Sequence, residues 1–172
     1  MSKPQTKKAL VRDVLVRHAS TDDVTAISEL LRESFAEFAN DYTAQAFEIV
    51  TPPADEIATR FEEGPIWVAS VGEEIVGTVS VVPEPDWLYI RSMAVAPRAQ
   101  GLGIAGKLLN VVEEYGIEKG FNSLFLYTTH FSKAAISLYK RSGFEHVRDT
   151  TADEWYGTPG IAMEKRIGGN KK

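Results

Sequence analysis

The 172-residue chain is long enough for one domain with a sizeable core, and its 44% apolar and 25% charged residues argue against a disordered or membrane protein. A net charge of −5 with no basic stripe argues against nucleic acid as a partner and fits cationic small molecules, peptides or plain solubility. The absence of cysteine excludes disulfides, thiolate metal sites and a cysteine nucleophile.

Residues 1–10 and 168–172, rich in lysine or glycine, read as flexible tails around a single domain of residues 11–167. No apolar run reaches the length of a signal peptide or a membrane span, so a reducing cytoplasm is the expected address. Val14-Leu15-Val16 reads as a short strand. A helix then starts near Ser20 or Thr21, with Asp22 and Asp23 in its first turn and Ile27, Leu30, Leu31 and Phe35 along one face. The stretch from Phe35 to Phe47 reads as a long, partly irregular connector that mixes aromatics with carboxylates.

Pro52-Pro53 precedes a second helix over 54–62, which Gly64-Pro65 ends. Ile66 to Ser70 and Ile75 to Val82 form a hairpin across Val71-Gly72-Glu73-Glu74, and a third strand runs from Trp87 to Val95. The clearest helix carries Ala105, Leu108, Leu109, Val112 and Tyr115 on one face and stops at Lys119-Gly120. Leu124 to Tyr127 is apolar throughout, as a strand covered on both faces would be. A short helix over 134–141 and strands over 144–149 and 161–167 complete the chain. The order predicts a mixed α/β sheet, mostly antiparallel, with one parallel β–α–β pair.

Arg98-Ala-Gln-Gly101-Leu-Gly103-Ile-Ala-Gly106-Lys107 lies between a strand and a helix, where small residues and a helix N-terminus suit an anion. Gly101-x-Gly103-x-x-Gly106 matches a dinucleotide fingerprint, but the next strand ends Thr128-Thr129-His130 without the carboxylate the ribose needs. Gly101-x-x-x-x-Gly106-Lys107 approaches a nucleoside-triphosphate loop, but Leu108 replaces its hydroxyl residue. The third match is Arg98-x-x-Gly101-x-Gly103 after Met93-Ala94-Val95-Ala96-Pro97, with Leu138-Tyr139 ending a later helix and Gly143-Phe144 opening the next strand.

These two segments resemble the signatures of the GNAT superfamily of acyl-CoA N-acyltransferases, over roughly residues 13–167. The first is Gln or Arg, two variable residues, Gly, one variable residue, then Gly or Ala. Ser132 departs from the family, which often has Asn there. The resemblance implies a GNAT-type fold with helices on both faces of the sheet and acetyl-CoA as co-substrate. It places cofactor contacts at Arg98, Ala99, Gln100, Gly101, Leu102, Gly103, Ile104 and Ala105, and the pantetheine arm on Met93, Ala94 and Val95. A main-chain N–H near Ala94 would hold the oxyanion, and Tyr139 would protonate the leaving thiolate or simply pack.

The acceptor would be a primary amine of a small molecule or peptide, with no metal implied. Glu37, Asp41 and Tyr42 in the connector are the expected acceptor wall. His130, Glu84 and Asp86 are candidate bases, and an exposed loop histidine is the alternative for His130. A non-catalytic acyl-CoA-binding regulatory domain stands as the rival function, and monomer and homodimer both remain open.

Overall fold

A computed structural model describes residues 13–168. Strand β1 (Val14–His18) leads to helix α1 (Val24–Phe35) through a turn that Asp23 fixes. The Asp23 carboxylate accepts two hydrogen bonds from the Arg17 guanidinium, at 2.7 and 2.9 Å, and one from the Ser20 N–H at 2.8 Å. These bonds, Arg17's first, hold its pKa down at about 2. Two short helices follow, α2 (Ala44–Val50) and α3 (Ala54–Arg60). A hairpin comes next, β2 (Ile66–Val71) and β3 (Glu74–Pro83), and then β4 (Trp87–Val95). The remaining elements are α4 (Ile104–Glu118), β5 (Ser123–Thr129), α5 (Lys133–Arg141), β6 (Glu145–Thr150) and β7 (Gly160–Arg166).

The strands form one seven-stranded sheet of order β1-β2-β3-β4-β5-β7-β6, in which only β4 and β5 run parallel. That is the mixed topology expected from the sequence. Among the described residues no helix is long and apolar enough to cross a membrane. The expected tails lie outside the described residues except Gly168, whose N–H donates to the Asn122 carbonyl at 3.0 Å, one residue past the expected boundary.

The connector is the one element that departs from expectation. Ala36–Phe38 form a 3-10 turn, and α2 begins at Ala44 because the Thr43 hydroxyl caps it, accepting from the Ala46 N–H at 3.1 Å. The aromatics that suggested an irregular binding loop instead pack together. Tyr42 meets the rings of Phe35, Phe47, Phe131 and Trp155 at 4.9–6.3 Å between centroids.

Both faces of the central strands are buried. Ile66 and Val68 of β2 pack with Ile27, Leu31 and Ile57 of α1 and α3. Trp67 and Ala69, one residue out of phase, pack with Leu108, Leu109 and Val112 of α4. Gly77 of β3 sets how closely α4 approaches: a Cβ there would lie 2.8 Å from Ile104 Cγ2 and 3.1 Å from Leu108 Cδ1. Gly77→Ala is therefore expected to cost about 1–3 kcal/mol by overpacking, although strand propensity alone favours alanine over glycine. Thermal unfolding decides between the two signs. Because Ile104 opens α4, acetyl-CoA affinity measured by calorimetry should fall in the same variant.

Candidate active site

The site begins where the parallel pair comes apart. β4 and β5 pair from Trp87↔Ser123 to Ile90↔Leu126 and no further. Beyond that point Tyr127, Thr128 and Thr129 pair only with β7, while β4 stays with β3. A bulge in β4 helps to turn the strands apart: Ser92 and Met93 together face Val79, and Ser92 takes a left-handed φ of 52°. Such a conformation costs a non-glycine residue of order 1–3 kcal/mol and persists where its surroundings over-determine it. The Arg60 guanidinium supplies one restraint, donating to Ser92 Oγ at 2.8 Å.

The open edge of β4 has a definite polarity. The Ala96 N–H reaches the Val76 carbonyl of β3 at 2.8 Å, so period-two alternation turns Ala94 toward β3 as well. Met93 and Val95 then present their N–H and C=O groups to the gap, and the Val95 carbonyl does accept from Ser34 Oγ, at 3.3 Å, on that side. The Ala94 N–H, the donor expected for the oxyanion, thus faces β3, whereas the Met93 N–H faces the gap. The Ala94 side chain packs against α1 and α3.

Continuing along β4, a 3-10 turn at Pro97–Ala99 leads to Gly101 and Gly103, with φ of 79° and 76°. Gly103 caps α4, and the first helical bond runs from the Lys107 N–H to the Gly103 carbonyl at 3.1 Å. Helix geometry thus leaves the N–H groups of Ile104, Ala105 and Gly106 without intrahelical acceptors, at the positive end of the helix dipole. A Cβ built on Gly101, Gly103 or Gly106 would meet nothing within 4 Å, so the loop borders open space.

This helix start also sets the register of the signature. The sequence satisfies it a second time as Gln100-x-x-Gly103-x-Ala105, and that reading puts the glycine at the cap and the small residue in the first turn. Arg98 is engaged elsewhere. Its guanidinium donates to Glu33 at 2.6 Å and, through Nε, to Glu74 at 2.8 Å. Ala99 is buried beneath the turn.

A cavity of about 320 Å³ occupies the splay. Ser92 and Met93 of β4, Leu126 to Thr129 of β5 and Ala135 and Tyr139 of α5 line it, together with Arg60, Tyr89, Arg91 and the aromatic pair Trp155 and Tyr156. Tyr139 owes its position to a helix stop. Gly143 takes φ 96° after the last turn, and the Phe144 N–H returns to the Tyr139 carbonyl at 2.9 Å. The Tyr139 and Phe144 rings close that motif at 5.7 Å, which gives the Leu-Tyr and Gly-Phe pairs of the second signature a common physical cause. Burial, with the nearby Tyr42 phenol second, pushes the Tyr139 pKa up to about 12.

Of the expected acceptor residues only Tyr42 lines the cavity. It is buried, and burial raises its pKa against the opposing hydrogen bonds of Thr129 and Ser132. Ser132 is held by Thr129, oxygen to oxygen, at 2.7 Å. Glu37, Asp41 and His130 are exposed and outside the lining, because the 3-10 turn and the turn after β5 direct them to solvent. Glu84 and Asp86 sit before the start of β4, at the opposite end of the strand from the splay. Sequence reasoning missed Arg60, Arg91, Trp155 and Tyr156. The usable signal was Arg60 itself, a charge in phase with Ile57 on the apolar face of α3.

The model of the acetyltransferase (GNAT) family matches residues 24–144. The "Uncharacterized N-acetyltransferase YjgM" of Escherichia coli K12 is 31% identical over 140 residues, covering 77% of this chain and 83% of that protein. The "Probable N-acetyltransferase camello" of Xenopus tropicalis is 34% identical over 90 residues, but the match covers 51% of this chain and only 41% of that longer protein. In fold, the chain resembles the PaiA N-acetyltransferase of Thermoplasma acidophilum, solved in complex with coenzyme A. The TM-score is 0.76 at 20% identity, over 89% of this chain and 98% of that one. The family match spans more than two thirds of the sequence, and the chain accordingly belongs to the GNAT acetyltransferase family.

Proposed function

We propose that the chain transfers the acetyl group of acetyl-CoA to a primary amine in the cavity between β4 and β5, with the pyrophosphate seated on the N–H groups of Gln100 to Gly106. The observation that carries this reading is the continuity of three features. β4 carries all three in turn: its unpaired edge starts at Met93, beside the cavity that holds the buried Tyr139 phenol, and the chain runs on through Val95 to the glycine-lined N-terminus of α4. Acetyl-CoA supplies the activated thioester, and the groove residues orient it.

The open edge of β4 pairs with the amide groups of the pantetheine arm, as a missing strand would. The Met93 N–H, fixed just past the bulge, faces the oxygen that becomes an oxyanion when the amine attacks, and one such preorganised donor is worth roughly 3 kcal/mol. The C–S bond then breaks, and the sulfur accepts a hydrogen bond from the Tyr139 hydroxyl. With a pKa of about 12 that phenol stays protonated across the working range. The attacking nitrogen gives up one proton and the sulfur takes one, so the products are the amide and free thiol. Among the residues lining the cavity there is no Asp, Glu or His to act as base. Arg60 and Arg91 beside the amine favour its neutral form, the ammonium proton leaving to solvent.

Thiol release from acetyl-CoA across a panel of amines tests the reaction, and amine-independent release alone would count against it. Gly106→Glu tests the seat. Gly106 has ordinary helical geometry and open space at its Cβ, and a glutamate in the first turn favours the helix. The variant should unfold at or above the wild-type temperature while losing acetyl-CoA binding by calorimetry; wild-type affinity would place the pyrophosphate elsewhere.

Tyr139→Phe should lower kcat by about 10²–10⁴-fold and leave KM for acetyl-CoA nearly unchanged. Since desolvation raises this pKa, the wild-type pH profile should show no alkaline fall from Tyr139 below about pH 11. A kcat within about threefold of wild type would reduce Tyr139 to packing.

A further inference from the structure

We propose that Arg60, with Arg91 beside it, is the seat of a carboxylate on the acceptor, and that the acceptor is a free amino acid with an apolar or aromatic side chain. This deepens the transferase reading above and rests on it.

Arg60 is 9% exposed and lines the cavity. Among the described residues no carboxylate lies within ion-pair distance of it, and its hydrogen-bond partner is the neutral Ser92 hydroxyl. Arg91 is paired with Glu63 at the rim, yet its buried Nε–H has no partner among the described residues. Two guanidinium groups thus line one cavity, and Arg91 has donor capacity unused. The space contains no acidic side chain to balance them. Burial is the main cost to the Arg60 cation and the like charge of Arg91 adds to it, while Glu56 and Glu63 offset part of it from outside the cavity. Planar, forked donors of this kind match a carboxylate in two parallel hydrogen bonds.

The position fits the acceptor and not the phosphates of the cofactor. Arg60 touches Ser92 at the bulge, whereas the phosphate loop starts beyond Pro97. The three residues of β4 beyond Ser92 alone span roughly 10 Å at ~3.3 Å of rise per residue. The rest of the wall specifies the body of the acceptor. Tyr89 and Tyr127 meet edge to face at 5.8 Å, and Trp155 and Tyr156 at 5.6 Å, and these four rings line the cavity beside the two arginines. An α-amino acid places its amine one carbon from its carboxylate, so anchoring the carboxylate brings the nitrogen to the neighbouring bulge, where the thioester carbonyl would lie.

The test compares acceptors that differ only in that carboxylate. Phenylalanine, leucine and tryptophan are assayed against their carboxamides and their decarboxylated amines, by thiol release from acetyl-CoA. The expected result is kcat/KM at least tenfold higher for one or more of the acids than for its amide. In Arg60→Gln the ratio should collapse toward one through a rise in the acid's KM, with acetyl-CoA affinity by calorimetry unchanged. Arg60→Lys keeps the charge and should retain part of the preference; melting temperatures of both variants control for folding. A purely structural role, pinning the bulge at Ser92, lowers acid and amide rates equally and overturns the assignment. So does a preference for the amides or amines, or a loss of acetyl-CoA affinity in Arg60→Gln. If none of these acids is turned over while polyamines or peptide N-termini are, the carboxylate seat is wrong and the transferase reading stands. If no amine releases thiol, both fall.

Discussion

The parting of β4 from β5 after Ile90↔Leu126 is the constraint on which the rest of the molecule depends. A parallel pair inside an otherwise antiparallel sheet must be joined by a crossover, and α4 is that crossover. A crossover helix starts at the C-terminal end of the first strand, which is also where the two strands diverge. One topological fact therefore brings an unpaired backbone edge and a helix N-terminus to the same end of the sheet. Gly77 completes the arrangement by letting Ile104 and Leu108 settle directly on β3.

The left-handed turn at Ser92 is the local counterpart of that parting. It adds a residue to β4 opposite Val79 and bends the strand away from β5. A second non-glycine residue with positive φ, Tyr156 at 49°, lies across the cavity in the loop before β7. This loop is tied to α2, since the Thr43 hydroxyl donates to the Tyr156 carbonyl at 2.5 Å and Thr158 Oγ1 accepts from the Thr43 N–H at 3.1 Å. The cap that starts α2 thus also holds the aromatic wall in place. Two strained backbone positions facing one cavity are what is expected where geometry is fixed for a ligand and the fold bears the cost.

The sequence made most of this legible where the signal was local. β-branched alternation located β2 and β3, and the apolar stripe of α4 with its Gly120 stop located that helix. The stop proves to be a left-handed cap, φ 82°, with the Phe121 N–H on the Gly116 carbonyl at 2.9 Å. The signature loop was found, and its pattern is satisfied two residues apart by Arg98-x-x-Gly101 and Gln100-x-x-Gly103. Only the helix start at Ile104 separates them. The stretch 35–47 was legible only in part: Tyr42 lines the cavity, while Glu37 and Asp41, in the turns before the helix that Thr43 caps, face solvent. The cavity wall itself was beyond local reading, since Arg60, Arg91 and Tyr156 meet only through the tertiary fold.

That wall is opposite in charge to the chain as a whole. A chain of charge −5 suggests a cationic partner, yet the acidic side chains lie outside the cavity and two arginines line it. The contrast has a chemical consequence. A lysine-like amine of pKa ~10.4 is protonated and unreactive near neutrality, and a cation beside it stabilises the neutral form. A carboxylate on the same acceptor offsets the repulsion that would otherwise keep the amine out. On the reading proposed above, the two arginines would hold the acceptor's carboxylate and favour its neutral amine, the ammonium proton leaving to solvent. This arrangement needs no general base of its own, which is consistent with a cavity that holds tyrosines and threonines but no histidine or carboxylate.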